Sequence, residues 1–330
     1  MPATHSTSRR GVIAVTGACG FIGANAVLHL VRCGHGVLAA DLTPPPDPLR
    51  NAWLQYPGLV RWISLDVTAQ EAWAALDEEP VDAIIHGAAV TTGLAETIAR
   101  VNLWGTIAAL EYARRRGCRR FVFISSSAVY GNVFSPTPVP ETGAVRPVNP
   151  YGVSKLSAEH YVSLYRRTHG LDACSVRLAA AHGPWERPTG TRTRMSPFFL
   201  LARAALRRQR IRVAGLEVAR DWIYAEDVAA GLAHLAELPA LPHDVFNLST
   251  GNVVNLGEIV RTLKRLLPEA AIEVSSSGAA DVAFEPGDSR PALDASRLRA
   301  TGFAAATDLE TSVSRYLEWL RGADDFLLRP

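Results

Sequence analysis

Tyr151 and Lys155 stand four positions apart in the stretch YGVSK, directly after a proline-rich run, FSPTPVPETGAVRPVNP. A helical pattern opens where the prolines end, so the two side chains share one helix face, one turn apart. A fixed ammonium beside a phenol favours the phenolate and lowers the tyrosine pKa from its ordinary value of about 10. Such a pair could move a proton to or from an alcohol or carbonyl oxygen near neutral pH. A tyrosine packed beside a surface lysine satisfies the same five residues, so the rest of the chain has to decide.

A second chemical signal is TGACGFIG, Thr16 to Gly23, which joins an apolar run to a helical one. Gly17, Gly20 and Gly23 permit a tight turn and let backbone N–H groups approach a pyrophosphate at a helix N-terminus. Their spacing differs from the GxGxxG of the commonest dinucleotide fingerprint. Asp41 ends the next apolar run, where an acid binds the adenosine ribose hydroxyls of NAD and repels the extra phosphate of NADP. Asp66 and Val67 end the third run, beside the expected adenine edge. Further on, HGPWERPTGTRTRMSP (182–197) is a polar loop in which Arg187, Arg192 and Arg194 form a candidate anion clamp, although exposed loop arginines are common.

The elements that must position these groups alternate. Apolar runs at 11–17, 36–42, 60–67, 81–89, 119–127 and 171–179 read as strands, with helical patterns at 21–34, 69–77, 98–116 and from Tyr151. Strands apolar throughout, alternating with helices, predict an α/β fold: a Rossmann-like, doubly wound parallel sheet covered on both faces. After Arg177 the rhythm changes to mixed short elements, with helical patterns at 196–208, 225–237, 256–267 and 308–321. The expected division is a dinucleotide-binding domain at 1–178, completed by part of 222–250, and a smaller mixed substrate lobe at 179–330.

Composition narrows the function class. The 330 residues are 48% hydrophobic and 20% charged, with a net charge of +2. That balance gives no electrostatic case for nucleic acid or a membrane surface, and the arginine runs at 113–120 and 207–212 fall at expected helix ends, where cations complement the helix dipole. Cys19, Cys33, Cys118 and Cys174 lack metal-ligand spacing, so no metal site or disulfide framework is expected and a cytoplasmic setting is. MPATHSTSRR reads as a short disordered tail rather than a signal peptide, and no apolar run is long enough to span a membrane.

TGACGFIG, Asp41, LDV (65–67), HGAA (86–89), VNLWGT (101–106), FISSSAVYG (123–131) and YGVSK together resemble the extended short-chain dehydrogenase/reductases, and more narrowly the NAD-dependent epimerase/dehydratase group. The resemblance implies NAD held by Gly17, Gly20, Phe21, Ile22, Gly23, Asp41, Asp66, Val67, Ala88, Asn102, Tyr151 and Lys155. It implies Tyr151 as acid/base, Lys155 as the residue that tunes it and holds the nicotinamide ribose, and Ser126 as the hydroxyl that orients the substrate oxygen. Ser125 and Ser127 read as structural, and Asn102 as a tie between the central helix and the strand edge.

The substrate end departs from the pattern. Ser127 and Ala128 stand where 4,6-dehydratases carry an aspartate and a glutamate, which argues against elimination of water. Ala180 replaces a substrate-binding asparagine, His182 replaces a tyrosine and could hydrogen-bond substrate, and Glu285 replaces a diphosphate-binding arginine with the opposite charge. Arg220 keeps a phosphate-binding position, unless it is paired with Asp221 or Glu226. The expected activity is an NAD-dependent oxidoreductase acting on a secondary alcohol of a sugar, sugar acid or similar small molecule, with a substrate outside the UDP and dTDP sugars. A nucleotide-sugar epimerase with tightly bound NAD is the alternative, and a non-catalytic NAD-binding regulator the second. The resemblance also implies a homodimer through the helices at 98–116 and after Tyr151.

Overall fold

Strands buried on both faces need helices on both faces, and the chain supplies them almost strand by strand. The computed structural model describes residues 10–275 and 280–323, so all of the expected tail but Arg10 lies outside the described residues. The first half runs β1 (Arg10–Thr16), α1 (Phe21–Arg32), β2 (His35–Asp41), α2 (Asp47–Leu54), β3 (Val60–Ser64), β4 (Ala83–His86), α3 (Ala95–Ala99), α4 (Gly105–Arg116), β5 (Arg120–Ser126), α5 (Pro150–His169) and β6 (Ala173–Leu178). The second half runs β7 (Ala180–His182), α6 (Pro197–Leu206), β8 (Ile211–Ala214), β9 (Ala219–Tyr224), α7 (Ala225–Glu237), β10 (Val245–Leu248), β11 (Val253–Asn255), α8 (Leu256–Leu266), β12 (Ile272–Val274), β13 (Val282–Ala283), α9 (Ser296–Arg299) and α10 (Leu309–Gly322).

Seven strands pair in the order β10-β6-β5-β4-β1-β2-β3, all parallel. Alternate side chains of β1 serve the two faces: Ile13 and Val15 pack with Val27, Leu30 and Leu232, while Val12 and Ala14 pack with Trp73, Leu110 and Tyr112. The strand order reverses between β1 and β4, so a crevice opens beyond their carboxyl ends. Two three-stranded sheets, β11-β9-β7 and β12-β8-β13, make the second lobe, whose core gathers Phe198, Phe199, Trp222 and Tyr316.

Two helical expectations change in detail. The segment expected to be α-helical at 69–77 is a 3₁₀ helix, Gln70–Leu76, anchored by buried Trp73, whose indole N–H donates to the Val67 carbonyl at 3.2 Å. The helix expected at 98–116 starts at Ala95 and widens into a π-helical turn at Arg100–Trp104, the turn that carries Asn102.

The first arginine run divides its work between two helices. Arg114, Arg115 and Arg116 lie in the last turn of α4. Arg119 and Arg120 instead reach the carboxyl end of α7, where Arg120 donates to the Leu235 and Leu238 carbonyls, both at 2.7 Å, and pairs with Asp172 at 2.9 Å. Arg120 is fully buried. This contact fastens a helix of the second half to the sheet. Arg120→Met should therefore lower the stability to urea by about 3 kcal/mol, because it leaves two helix carbonyls and a carboxylate short of a partner. A loss below about 0.5 kcal/mol would show that the contact is dispensable.

Candidate active site

The turn between β1 and α1 is shaped by close backbone approach. Gly17 has φ +68°, and a Cβ there would lie 2.8 Å from the Ala88 nitrogen; a Cβ on Gly23 would lie 2.0 Å from the Gly17 carbonyl oxygen. The turn closes through the Gly20 N–H on the Gly17 carbonyl at 3.0 Å. The first turn of α1 has neither an acidic residue nor a side-chain cap, so its N–H groups are left to an outside anion. Asp41 accepts from the Cys19 N–H at 2.9 Å and, through its other oxygen, from Thr43. A carboxylate has further lone pairs for a ribose hydroxyl. These features fit a dinucleotide pyrophosphate and ribose.

A cavity of about 550 Å³ runs from this turn across the sheet end to the second lobe. Gly17, Gly20, Phe21, Ile22, Gly23, Ser126, Tyr151 and Lys155 line it. Asp41, Asp66, Val67 and Ala88 lie beyond its wall at the ends of β2, β3 and β4. Asp66 closes a turn on Thr68, Val67 is buried, and Ala88 donates to Thr16. Asn102 is fully buried; it bonds both backbone groups of Val90 and the Ser154 hydroxyl, and so ties the loop after β4 to α5.

Tyr151 sits in the first turn of α5 because Asn149 caps the helix, accepting from the Gly152 N–H at 2.8 Å, and Pro150 fits the first helical position. Gly152 lets the helix touch the turn after β5: a Cβ there would lie 2.7 Å from the Ala128 carbonyl. Tyr151 thereby lines the same cavity as Ser126 at the end of β5, close enough for the serine hydroxyl to act on its phenol. Lys155 is buried, donates to the Ile124 carbonyl at 2.8 Å and lies 4.7 Å from the centre of the Phe123 ring. Burial lowers its pKa to about 7, with Glu159 opposing.

The expected lowering of the tyrosine pKa is not what the protein's own groups produce. Burial holds Tyr151 above its ordinary value, and the opposing influences come from the Ser126 hydrogen bond and the charge of Arg192. Lys155 turns its ammonium toward the strand carbonyl, with the Tyr151 ring centre 5.8 Å away.

The arginine-rich segment forms a strap over the cavity. Thr91 donates through N–H and hydroxyl to the Thr191 carbonyl, at 3.1 and 2.7 Å. Arg187, expected in a substrate clamp, lines the cavity and donates to the Cys19 carbonyl at 2.5 Å, on the glycine turn, beside Asp41. Arg192 pairs with fully buried Glu186 at 2.7 Å and lies 5.2 Å over the Phe21 ring. Both residues thus reach the glycine-turn side of the cavity, and only Arg194 of the three faces the far end.

At that far end Arg220 pairs with Asp288 at 3.3 Å, rather than with Asp221 or Glu226, and lies 4.7 Å from the Phe284 ring centre. Burial lowers its pKa; Asp288 opposes, while Arg290 and Arg194 add to the lowering, and all three arginines line the cavity. Glu285 is exposed and turns into a capping box with Asp288. His182, expected at the substrate, is a correction. It is buried in the second-lobe core, stacked on Phe198 at 3.7 Å and bonded to Ser312 at 3.1 Å, and burial takes its pKa down to about 3. It does not line the cavity.

Two groups escaped the sequence reading. Arg290 stands five positions after Glu285, where no motif flagged it. Glu159 stands one turn beyond Lys155, where a helical carboxylate looks like a solvated face; it is instead buried against Arg177 at 2.7 Å.

Comparison with known proteins identifies the family. The model of the NAD dependent epimerase/dehydratase family matches residues 13–257. A UDP-glucose 4-epimerase of Streptomyces lividans is 30% identical over 278 residues, covering 78% of this chain and 81% of that protein. The crystal structure of a UDP-glucose 4-epimerase with UDP-glucose, from Thermotoga maritima, superposes with a TM-score of 0.81 at 25% identity, covering 94% of this chain and 99% of that one. The structure of MoeE5 in complex with UDP-glucuronic acid and NAD superposes with a TM-score of 0.78 at 27% identity, covering 95% and 100%.

Lys155→Met removes a charge that folding takes out of water. Below about pH 7 the lysine is protonated in both states and its burial cost is constant. Between about 7 and the ordinary 10.5 the unfolded chain holds a proton that the folded chain lacks, so the native protein gains stability from this group as pH rises. In urea unfolding the variant should be the more stable protein near pH 6.5, with an advantage that shrinks toward pH 9.5. A difference that is flat in pH contradicts the buried charge.

Proposed function

The chain belongs to the NAD-dependent epimerase/dehydratase family, and from there we propose that it inverts a hydroxyl-bearing carbon of a nucleoside-diphosphate sugar while keeping its NAD. It is an NAD-dependent enzyme of the extended short-chain dehydrogenase/reductase type, transferring hydride at a secondary alcohol or carbonyl carbon. The observation that carries the finer reading is the strap at 183–196. Its Arg187 and Arg192 close over the glycine turn, and its Arg194 joins Arg220 and Arg290 at the far end. A strap tied across the dinucleotide groove favours retention of the cofactor through turnover, and three guanidiniums lining the cavity favour a diphosphate.

The expectation of a substrate outside the UDP and dTDP sugars rested on Ala180 in place of an asparagine and on Glu285 facing that diphosphate. Glu285 is exposed and bonded into its own turn, and Arg290 lines the cavity in its place. That removes the repulsion, while Ala180 still lines the cavity without an amide to offer. Ser127 and Ala128 still leave the chain without the acid pair of a 4,6-dehydratase.

The residues then take these roles. Gly17, Gly20, Phe21, Ile22 and Gly23 present backbone to the pyrophosphate, Asp41 receives the adenosine ribose, and Asp66, Val67 and Ala88 border the adenine and the strand ends. NAD, when bound, supplies a hydride acceptor that can also return the hydride. Ser126 holds the sugar hydroxyl, Tyr151 takes its proton and gives it back, and Lys155 keeps a positive charge beside the forming phenolate. Exposed apolar side chains on one side of the molecule, Leu94 and Trp104 near the start of α4 with Val153 and Leu164 on α5, support a homodimer, which sedimentation at micromolar concentration would read.

The protein as purified should carry NAD and invert UDP-sugars or dTDP-sugars with no NAD added, and Tyr151→Phe should keep the NAD and lose about 100-fold or more in kcat. Activity that depends on added NAD and releases one NADH per substrate would overturn the epimerase reading in favour of a dehydrogenase.

A further inference from the structure

Lys155 lies against a buried network that the reaction described above does not use. One turn along α5, Glu159 accepts from the Arg177 guanidinium of β6 at 2.7, 3.0 and 3.1 Å, and from the Ser125 hydroxyl of β5 at 2.5 Å. Ser125 precedes Ser126 in the chain, so the same carboxylate grips the strand end that presents the substrate-facing hydroxyl. Arg177 continues to the Tyr130 hydroxyl and the Glu141 carbonyl, both at 3.0 Å, and Tyr130 donates to Asn247 of β10 at 2.7 Å. A network of this extent could be packing alone. Its position argues for more: Glu159 and Lys155 are four positions apart on one face of α5, both are buried, and they grip adjacent residues of β5, Ser125 and Ile124.

We propose that Glu159 is a positioning residue for the reaction: its carboxylate, divided between Arg177 and Ser125, holds the positive charge on Lys155 and the place of Ser126. The other groups around Lys155 give little such support. Tyr151 lies on the same helix, and β5 contributes the Ile124 carbonyl, the Phe123 ring and the serine hydroxyls. From β4, His86 is buried, bonded to Thr16 and kept neutral by burial and by Lys155 itself. Arg177, from β6, shares the Glu159 carboxylate, so it competes for the negative charge one turn along the helix from Lys155. With Glu159 present, the lysine remains near the midpoint of its titration at neutral pH despite complete burial.

The inference rests on Lys155 being the cation that serves Tyr151, and the test reads the charge of Lys155 directly, so the two can fail separately. The chain has two lysines, Lys155 and Lys264. In protein labelled with ¹³C at the lysine ε-carbon, each gives one resonance, assigned with Lys264→Arg, and the shift of the Lys155 signal follows its protonation from pH 5.5 to 10. Glu159→Gln alone strands a buried arginine and risks unfolding, whereas Glu159→Gln with Arg177→Met removes both charges of the pair. In that double variant the Lys155 midpoint should fall by at least one unit, with the alkaline limb of kcat/KM moving with it. In Arg177→Met alone, where Glu159 loses its other partner, the midpoint should rise. A midpoint unchanged in the double variant overturns the proposal, as does a shift of the same sign in both, which would mark a packing effect. If Arg177→Met does not fold, the double variant decides alone.

Discussion

One buried ammonium constrains this molecule more than any other group. Folding takes Lys155 out of water, which costs several kcal/mol unless the surroundings replace its hydration. They do so with unlike parts: the Ile124 carbonyl of β5, the face of Phe123, and the field of Glu159. Each part holds a separate element in place. The carbonyl registers α5 against the sheet, and the Glu159 network registers β5 against β6 and β10. Tyr151 and Ser126 are positioned by the same arrangement, because they are the neighbours of those anchor points in sequence. The chain is rich in arginine and has only two lysines, and arginine could not replace this one: its guanidinium stays charged where the site holds an amine near its titration midpoint.

The second constraint is steric, and it explains the glycines. At the strand reversal, β1 and β4 end side by side, and Gly17 fits only because nothing projects from it toward Gly87 and Ala88. Gly152 does the same for α5 against the turn after Ser126. These approaches bring the glycine turn and the Ser126–Tyr151 pair to opposite shores of one crevice. The strap then closes it from above with arginines that bond to backbone carbonyl and aromatic ring, so it relies little on complementary side chains in the turn it covers.

Strands and long helices were legible because their signals are local. Runs apolar at every position have to be central parallel strands, and α5 announces its start through Asn149 and Pro150. The 3₁₀ helix at Gln70–Leu76 was not separable from an α-helix, since one buried tryptophan looks alike in both. The glycine turn and the Tyr151–Lys155 pair were readable because glycine spacing and helical spacing translate directly into space. The side chains misplaced by sequence reasoning lie where that translation stops. His182 closes a three-residue strand and turns into a core built from distant α6 and α10. Arg187 crosses to a residue far earlier in the chain. Glu285 turns back on its own 3₁₀ turn, and Arg290, a few positions on, reaches the cavity instead. Opposite charge at one motif position says little when a neighbouring arginine can enter the same space.

The account's central claim is that hydride leaves and returns to the same sugar carbon inside one cavity, with Tyr151 handling the hydroxyl proton. The most direct measurement is the fate of deuterium placed on the reacting carbon of a nucleoside-diphosphate sugar. The account predicts product of inverted configuration that retains the deuterium at that carbon, with none in water and none in free NADH. Deuterium washed into solvent, or collected in dissociated NADH, would contradict it.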